Sequence, residues 1–247
     1  MGKNKLSKFA DMERFSNVLQ VTFHQLQQND HALKGNWKRD FFKNEGPIVL
    51  ELGCGKGEYT TGLAQLAPEK NYLGIDIKGA RMWKGAKYAI DHGLDNVGFI
   101  RTHIEMIAQF FAPGEVSEIW LTFPDPQMKK TRKRLTSTRF IALYRQFLKP
   151  GGIVHLKTDS NFQYRYTLEM AKANGFEIVG NNNNIYADDQ HEPVLDIKTY
   201  YEKQWIARGL NIKYISFVPH QQELIEPDVD IEPDSYRSFG RGAITVD

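Results

Sequence analysis

Pro47-Ile-Val-Leu-Glu-Leu-Gly-Cys-Gly-Lys-Gly-Glu58 reads as a buried strand running straight into a glycine-rich turn. Ile48, Val49, Leu50 and Leu52 form the apolar run of a central parallel strand. Gly53, Gly55 and Gly57 let the backbone turn tightly and approach a ligand closely. Glu51 interrupts the apolar run, where a carboxylate is costly without a partner, and a cationic or hydrogen-bonding ligand above the strand end would serve as one. The next strand, Asn71 to Asp76, ends in an acid where open α/β sheets bind a ribose.

The spacing excludes two common nucleotide sites. Gly53-x-Gly55-x-Gly57 is not the G-x-G-x-x-G dinucleotide fingerprint, and no G-x-x-x-x-G-K-[ST] phosphate loop is present. Glu51 and Glu58 would repel a pyrophosphate, so the loop favours a ligand that lacks phosphate and carries positive charge. This order of strand, acid, three glycines and second acid resembles the S-adenosylmethionine site of class I methyltransferases.

Working outward, strand and helix patterns alternate: strand 47–53, helix 58–66, strand 71–76, helix 79–92, strand 97–101, helix 104–111, strand 118–122, helix 137–148, strand 152–158, helix 161–174 and strand 176–180. A short helix from Thr199 and a last strand, Ile212–Val218, close the series. Such alternation predicts an α/β fold with a doubly wound, mostly parallel seven-stranded sheet, Rossmann-like, whose final strand is antiparallel. Three regions follow: 1–46 as an N-terminal helix and extension packing on the core, 47–219 as the catalytic domain, and 220–247 as an acidic, mobile tail. The leading helix is expected from Leu6 to about Gln20, anchored by Leu6, Phe9, Phe15 and Leu19, and 29–46 as a loop carrying Trp37, Phe41 and Phe42.

Composition sets the outer bounds. The 247 residues are 41% hydrophobic and 25% charged, which suits one large domain with short appendages. No apolar run is long enough to span a membrane and the start lacks an apolar signal core, so a cytoplasmic protein is expected. The lone Cys54 rules out an internal disulfide and reads as a small packing residue. His24, His31, His92, His103, His155, His191 and His220 have no metal-site spacing, so no metal is expected.

Net charge is only +2, but it is unevenly spread. From Gln127 to Lys149 there are eight bases and no acid, whereas Gln221 to Tyr236 carries six acids and no base. The basic run follows Phe123-Pro-Asp-Pro126, a loop at the carboxyl end of a strand beside the cofactor crevice. Its prolines stiffen the backbone and aim Asp125, which suits an acid that holds a purine's N1–H and exocyclic amine. The adjoining bases suit a polyphosphate backbone, and the opposite charge of the tail would let it cover them.

With these residues assembled, the chain resembles bacterial tRNA (guanine-N7-)-methyltransferases from about Leu6 to Pro219. The most specific elements are Phe123-Pro-Asp-Pro126 with Lys129 and the basic run, Thr158-Asp159, and Thr199-x-x-Glu202 before Arg208-Gly209. The resemblance implies transfer of a methyl group from S-adenosylmethionine to N7 of a guanine in the tRNA variable loop, leaving S-adenosylhomocysteine. It implies cofactor contacts from Glu51, Asp76, Thr102 and Asp125, beside Gly53, Gly55 and Gly57 of the turn. It implies substrate contacts from Lys129, Asp159, Thr199, Tyr200, Tyr201 and Glu202, and RNA contacts from Lys130, Thr131, Arg132, Lys133, Arg134, Leu135 and Thr136. Asp125 takes the catalytic role, orienting the guanine rather than acting as an obligatory base. Gln127-Met128 stands where many members have Trp-His, and Thr102 where many have an acid. Two other readings stay open on the residues alone: a methyltransferase acting on another nucleobase position or RNA, and a non-catalytic RNA-binding module with a vestigial pocket. Monomer and homodimer are equally compatible with the sequence.

Overall fold

Strand β2 (Ile48–Leu52) is buried along its whole length and lies at the centre of the sheet. Ile48, Leu50 and Leu52 pack in one apolar cluster with Phe110, Phe147 and Leu156, while Val49 points to the other with Tyr59, Leu63 and Phe99. That alternation is the two-residue period of a strand covered on both faces, and each such side chain contributes roughly 1.5–3 kcal/mol through burial. The computed structural model describes residues 2–21, 23–187, 191–220 and 222–236, without the side chains of 2–6, 23, 27 and 28.

The chain begins with helix α1 (Gly2–Arg14), edge strand β1 (Val18–Gln20) and helix α2 (Phe23–Gln28). After β2 come α3 (Glu58–Leu66), β3 (Asn71–Asp76), α4 (Gly79–Asp91), β4 (Val97–Arg101) and β5 (Val116–Thr122). The second half holds α5 (Thr138–Tyr144), β6 (Leu148–Thr158), α6 (Asn161–Ala173), β7 (Glu177–Asn182), α7 (Tyr200–Ala207) and β8 (Lys213–Val218). The eight-stranded sheet has the order β1-β4-β3-β2-β5-β6-β8-β7, parallel except for β8, which runs antiparallel to both β6 and β7. The strand order reverses between β2 and β5, so their carboxyl ends border the crevice where such sheets bind ligands.

Three expectations change. The leading helix stops at Arg14, because the chain turns at Phe15 to Val18 and Asn17 accepts a bond from the Phe99 amide, adding β1 to the sheet edge. This eighth strand carries Leu19, which was expected on the helix. Residues 37–42 are not loop but a π-helical turn; Trp37 is fully buried, donates its indole N–H to the Phe110 carbonyl at 2.7 Å and stacks on Phe111 at 5.3 Å. Residues 104–109 form a 3-10 turn rather than an α-helix.

The acidic segment expected as a mobile tail is described at 220 and 222–236. There it lies against the domain: Ile231 joins the main core cluster at 7% exposure, and Asp234 is 6% exposed. Two of the six acids there bond to hydroxyls and a helix N-terminus, while Glu223, Asp228, Asp230 and Glu232 are exposed. Glu226 accepts from Thr138 and Tyr166, and Asp234 accepts from Ser160 and from the Phe162 amide at the start of α6. The segment 237–247 of the expected tail lies outside the described residues.

Candidate active site

The glycine turn owes its shape to left-handed backbone at Gly53, Gly55 and Gly57, with φ of 84°, 54° and 70°. A Cβ on Gly57 would also sit 2.7 Å from the Phe99 ring, so this glycine sets helix α3 against the sheet. At Gly53 a Cβ would meet nothing within 4 Å, because that face opens into a cavity of about 590 Å³. The cavity lies over the strand-order reversal. Glu51, Gly53, Cys54, Gly55 and Asp76 line one side, and Phe123, Asp125, Lys133 and Leu135 line the other, with Thr199, Tyr201 and Trp205 at the rim.

Glu51 has protein partners of its own. It accepts from the Thr60 amide at 2.8 Å, from the Thr60 hydroxyl and from the Thr122 hydroxyl on β5. It is 2% exposed, and burial pushes its carboxyl pKa up from 4.5 to about 7 against those bonds, with the Asp76 charge adding to the rise. A cationic ligand in the cavity would favour the ionised form of this carboxyl, and the bonds that make its burial tolerable come from threonines. Asp76 is fastened twice, accepting from the Gly55 amide at 3.0 Å and the Lys78 amide at 2.7 Å, which ties the end of β3 to the glycine turn. Burial raises the Cys54 thiol well above its ordinary value, which makes it a packing group rather than a nucleophile.

Asp125 is exposed on the opposite wall, with one oxygen accepting from the Gln127 amide at 3.1 Å. The loop around it is strained: Phe123 and Gln127, neither a glycine, have φ of 50° and 49°. Left-handed backbone at such residues costs on the order of 1–3 kcal/mol each and persists only where the surroundings enforce it. Arg134 supplies the enforcement. Its guanidinium donates to the carbonyls of Pro126 (3.1 Å), Gln127 and Met128 (both 3.2 Å) and lies over the rings of Tyr166 and Phe162.

Arg134 is therefore buried beneath the basic loop instead of facing RNA, because three carbonyls turned inward by the strained backbone need a donor. Thr136 is likewise fully buried, its hydroxyl accepting from Thr167 at 2.9 Å. Lys129, Lys130, Arg132 and Lys133 stay on the surface, with Thr131 and Leu135 half-buried. Thr102 is 4% exposed and does not line the cavity. Thr199 caps α7 and lines the rim, and Tyr200 and Tyr201 are exposed beside it, with the Lys56 ammonium 3.4 Å from the Tyr200 ring centroid. Glu202 is fully buried away from the cavity: it completes the capping box with Thr199 and pairs with the equally buried Lys157 at 2.7 Å. A carboxylate so committed holds α7 against β6 rather than meeting a substrate. Asp159, at the end of β6, is 1% exposed beneath the tail, where Tyr236 donates to its Oδ2 at 2.8 Å.

Sequence reasoning missed Lys56, Arg81 and Trp205 as parts of this region. Lys56 stood within the glycine turn and carried the only readable signal; the others arrive from distant segments. No cluster of His, Cys, Asp and Glu suited to a metal occurs among the described residues, and none of their helices is long and apolar enough to cross a membrane.

Comparison with known proteins agrees with the geometry. A family model described as a putative methyltransferase matches residues 45–215. A tRNA (guanine-N(7)-)-methyltransferase of Bacteroides fragilis is 55% identical over 98% of this chain and 96% of its own length. Those of Porphyromonas gingivalis and Cytophaga hutchinsonii are 55% and 41% identical over 93% and 88% of this chain, and 96% and 98% of their own. Among solved structures, a 16S rRNA (adenine(1408)-N(1))-methyltransferase from Catenulisporales acidiphilia superposes with a TM-score of 0.56 at 15% identity, covering 81% of this chain and 96% of that one. The 16S rRNA methyltransferase KamB gives 0.56 at 13% identity, over 81% and 94%. At such identities the likeness is one of fold.

Proposed function

The chain belongs to the tRNA (guanine-N7-)-methyltransferase family, and from that premise we propose that it transfers the methyl group of S-adenosylmethionine to N7 of a guanine in the variable loop of tRNA. The observation that carries this reading is a single cavity joining the acid-lined glycine turn to Asp125 and to Lys133 of the basic loop. The residues fit the cofactor. Gly53 leaves open space at the turn, and Glu51 and Asp76 suit a cation and a ribose. Bound there, S-adenosylmethionine supplies an electrophilic methyl group on sulfur.

The remaining work falls to the chain's own side chains. Guanine N7 carries a lone pair, so no proton has to leave before it attacks, and Asp125 need not act as a base. Its task is to hold the purine edge in line with the donor, and such positioning supplies up to ~7–11 kcal/mol in intramolecular analogues. Positive charge arrives on the purine as the methyl is transferred, and Asp125 in the cavity wall beyond β5 favours that charge. Lys129, Lys130, Arg132 and Lys133 form the surface that meets the RNA phosphates, with Tyr200 and Tyr201 presenting exposed rings at the rim. A protein with this substrate belongs in the cytoplasm.

The position within tRNA is tested by methylating an unmodified transcript and cleaving at 7-methylguanosine by reduction and aniline treatment. One cut in the variable loop supports the proposal. A cut elsewhere, retained when the variable loop is shortened, refutes the placement while leaving the chemistry.

A further inference from the structure

We propose that Glu58 is a positioning residue that fastens the acceptor side of the site to the cofactor turn, and that through it S-adenosylmethionine and tRNA each strengthen binding of the other; the proposal rests on the functional reading above. Glu58 opens α3 directly after the glycine turn. On sequence alone it serves only to disfavour a pyrophosphate. In the fold it reaches α7, 142 residues further along the chain. One carboxylate oxygen accepts from the Tyr200 amide at 2.8 Å, and the other from the Lys84 ammonium at 3.1 Å. The first bond answers a need of α7, because the opening amides of a helix have no partner within it. The capping box satisfies two amides there: Thr199 Oγ1 accepts from the Glu202 amide at 3.2 Å, and the Glu202 carboxylate accepts from the Thr199 amide at 3.3 Å. The Tyr200 amide is left to an outside acceptor, and a negative charge at that end also suits the helix dipole.

The contact between α3 and the segment leading into α7 extends beyond this bond. Tyr59 donates its hydroxyl to the Val194 carbonyl at 2.7 Å. One turn after Glu58, Gly62 leaves room for Ile197, since a Cβ there would lie 2.7 Å from Ile197 Cγ2. From the other side, Lys157 on β6 donates to the Leu195 and Ile197 carbonyls at 2.7 and 3.0 Å. The segment is thus seated between the cofactor helix and the sheet, and it brings Thr199 and Tyr201 to the cavity rim. Lys56 of the turn lies over Tyr200 and 5.9 Å from the Tyr201 ring, and Arg81 of α4 adds a second cation at 5.7 Å from Tyr201. Lys56, Glu58 and Arg81 line the same cavity as the glycine turn. A ligand against the turn therefore steadies the groups that hold the rim, and an ordering cost met on binding the first ligand is not met again by the second. Linkage makes the effect equal in both directions.

The test measures Kd for unmodified tRNA with and without saturating S-adenosylhomocysteine, which binds without turnover, and Kd for S-adenosylhomocysteine with and without tRNA. Full-length wild type, Glu58→Ala and Glu58→Gln are compared, alongside thermal unfolding. In wild type each ligand is expected to tighten the other at least about fivefold, the lower end of ordinary coupling between sites, and in Glu58→Ala the factor should fall below about twofold. Glu58→Gln, whose amide oxygen still accepts from the Tyr200 amide, should keep most of it. A purely structural glutamate would instead lower Tm and weaken both ligands alike, leaving the ratio intact. A ratio near one in a wild type that binds both ligands overturns the proposal, as does a full ratio in Glu58→Ala. Equal loss in Glu58→Gln and Glu58→Ala overturns it too, and assigns the effect to the charge facing Lys84 rather than to the cap on α7. If wild type binds no S-adenosylhomocysteine or no tRNA, the functional reading itself fails and the proposal falls with it.

Discussion

Replacing Glu51 by Gln separates what this residue contributes to the fold from what it contributes to the cofactor site. Burial raises its pKa from 4.5 to about 7. A folded pKa above the unfolded one means that the folded state keeps a proton that the unfolded state releases between those values. Stability from this group is therefore full below pH 4.5 and is lost as pH rises to about 7 and beyond. The rise of about 2.5 units, at about 1.36 kcal/mol each, makes the ionised folded form costly by about 3 kcal/mol at pH 8 and above. Glu51→Gln removes that cost and puts an amide donor where Thr60 and Thr122 now donate, a mismatch worth about 1 kcal/mol. The net effect without cofactor is a gain of about 2 kcal/mol at pH 8, or a Tm higher by roughly 4–8 °C for a chain of this size. At pH 5 the gain vanishes and the mismatch remains. Affinity for S-adenosylmethionine should move the other way, falling at least about tenfold at pH 8 through loss of a charged acceptor. Thermal scans from pH 5 to 9 and titration calorimetry measure both quantities. A variant that is equally destabilised at pH 5 and pH 8 would refute the claim that burial makes the Glu51 carboxylate costly.

The other expectations can be tested with the same material. Burial lowers His155 from 6.5 to about 4, so its neutral form is favoured in the fold; stability should rise with pH across that window by up to about 3 kcal/mol, opposing the Glu51 slope, and Glu51→Gln should uncover it. A flat profile in that variant would contradict the burial argument. Asp125→Ala should lose most single-turnover rate while tRNA affinity holds, whereas unchanged turnover would remove Asp125 from the chemistry. Neutralising Lys129, Lys130, Arg132 and Lys133 together should weaken tRNA binding and flatten its salt dependence; an unchanged slope would mean that this loop does not meet phosphate. Arg134→Ala should instead lower stability by about 2–4 kcal/mol through three abandoned carbonyls, with Arg132→Ala nearly neutral in Tm.

The central sheet and its glycine turn were legible because their signals are local. Five consecutive buried residues make β2, glycines stand at each left-handed position of the turn, and an acid closes β3. The three-residue β1 carries too few side chains to show a period, and the turn at 37–42 has a hydrophobic pattern that fits neither helix nor strand. Charged residues were the hardest to place. Arg134 looks like its neighbours in a basic run, and only the inward carbonyls of a strained loop explain its burial. Glu202 reads as a surface helix residue until Lys157, from a strand, is seen against it. The tail reads as a solvated acidic stretch because the groups that bind Glu226 and Asp234 lie 60 to 88 residues away in sequence. Asp125 was legible for the opposite reason: the prolines that aim it are its immediate neighbours.

Methyl transfer to guanine N7 is tested most directly by incubating the purified protein with S-adenosylmethionine carrying a trideuterated methyl group and an unmodified tRNA transcript, then digesting the RNA for nucleoside mass spectrometry. The account expects deuterium-labelled 7-methylguanosine in an amount that approaches one per tRNA. Label in any other nucleoside, or none in an RNA that the protein binds, would contradict it.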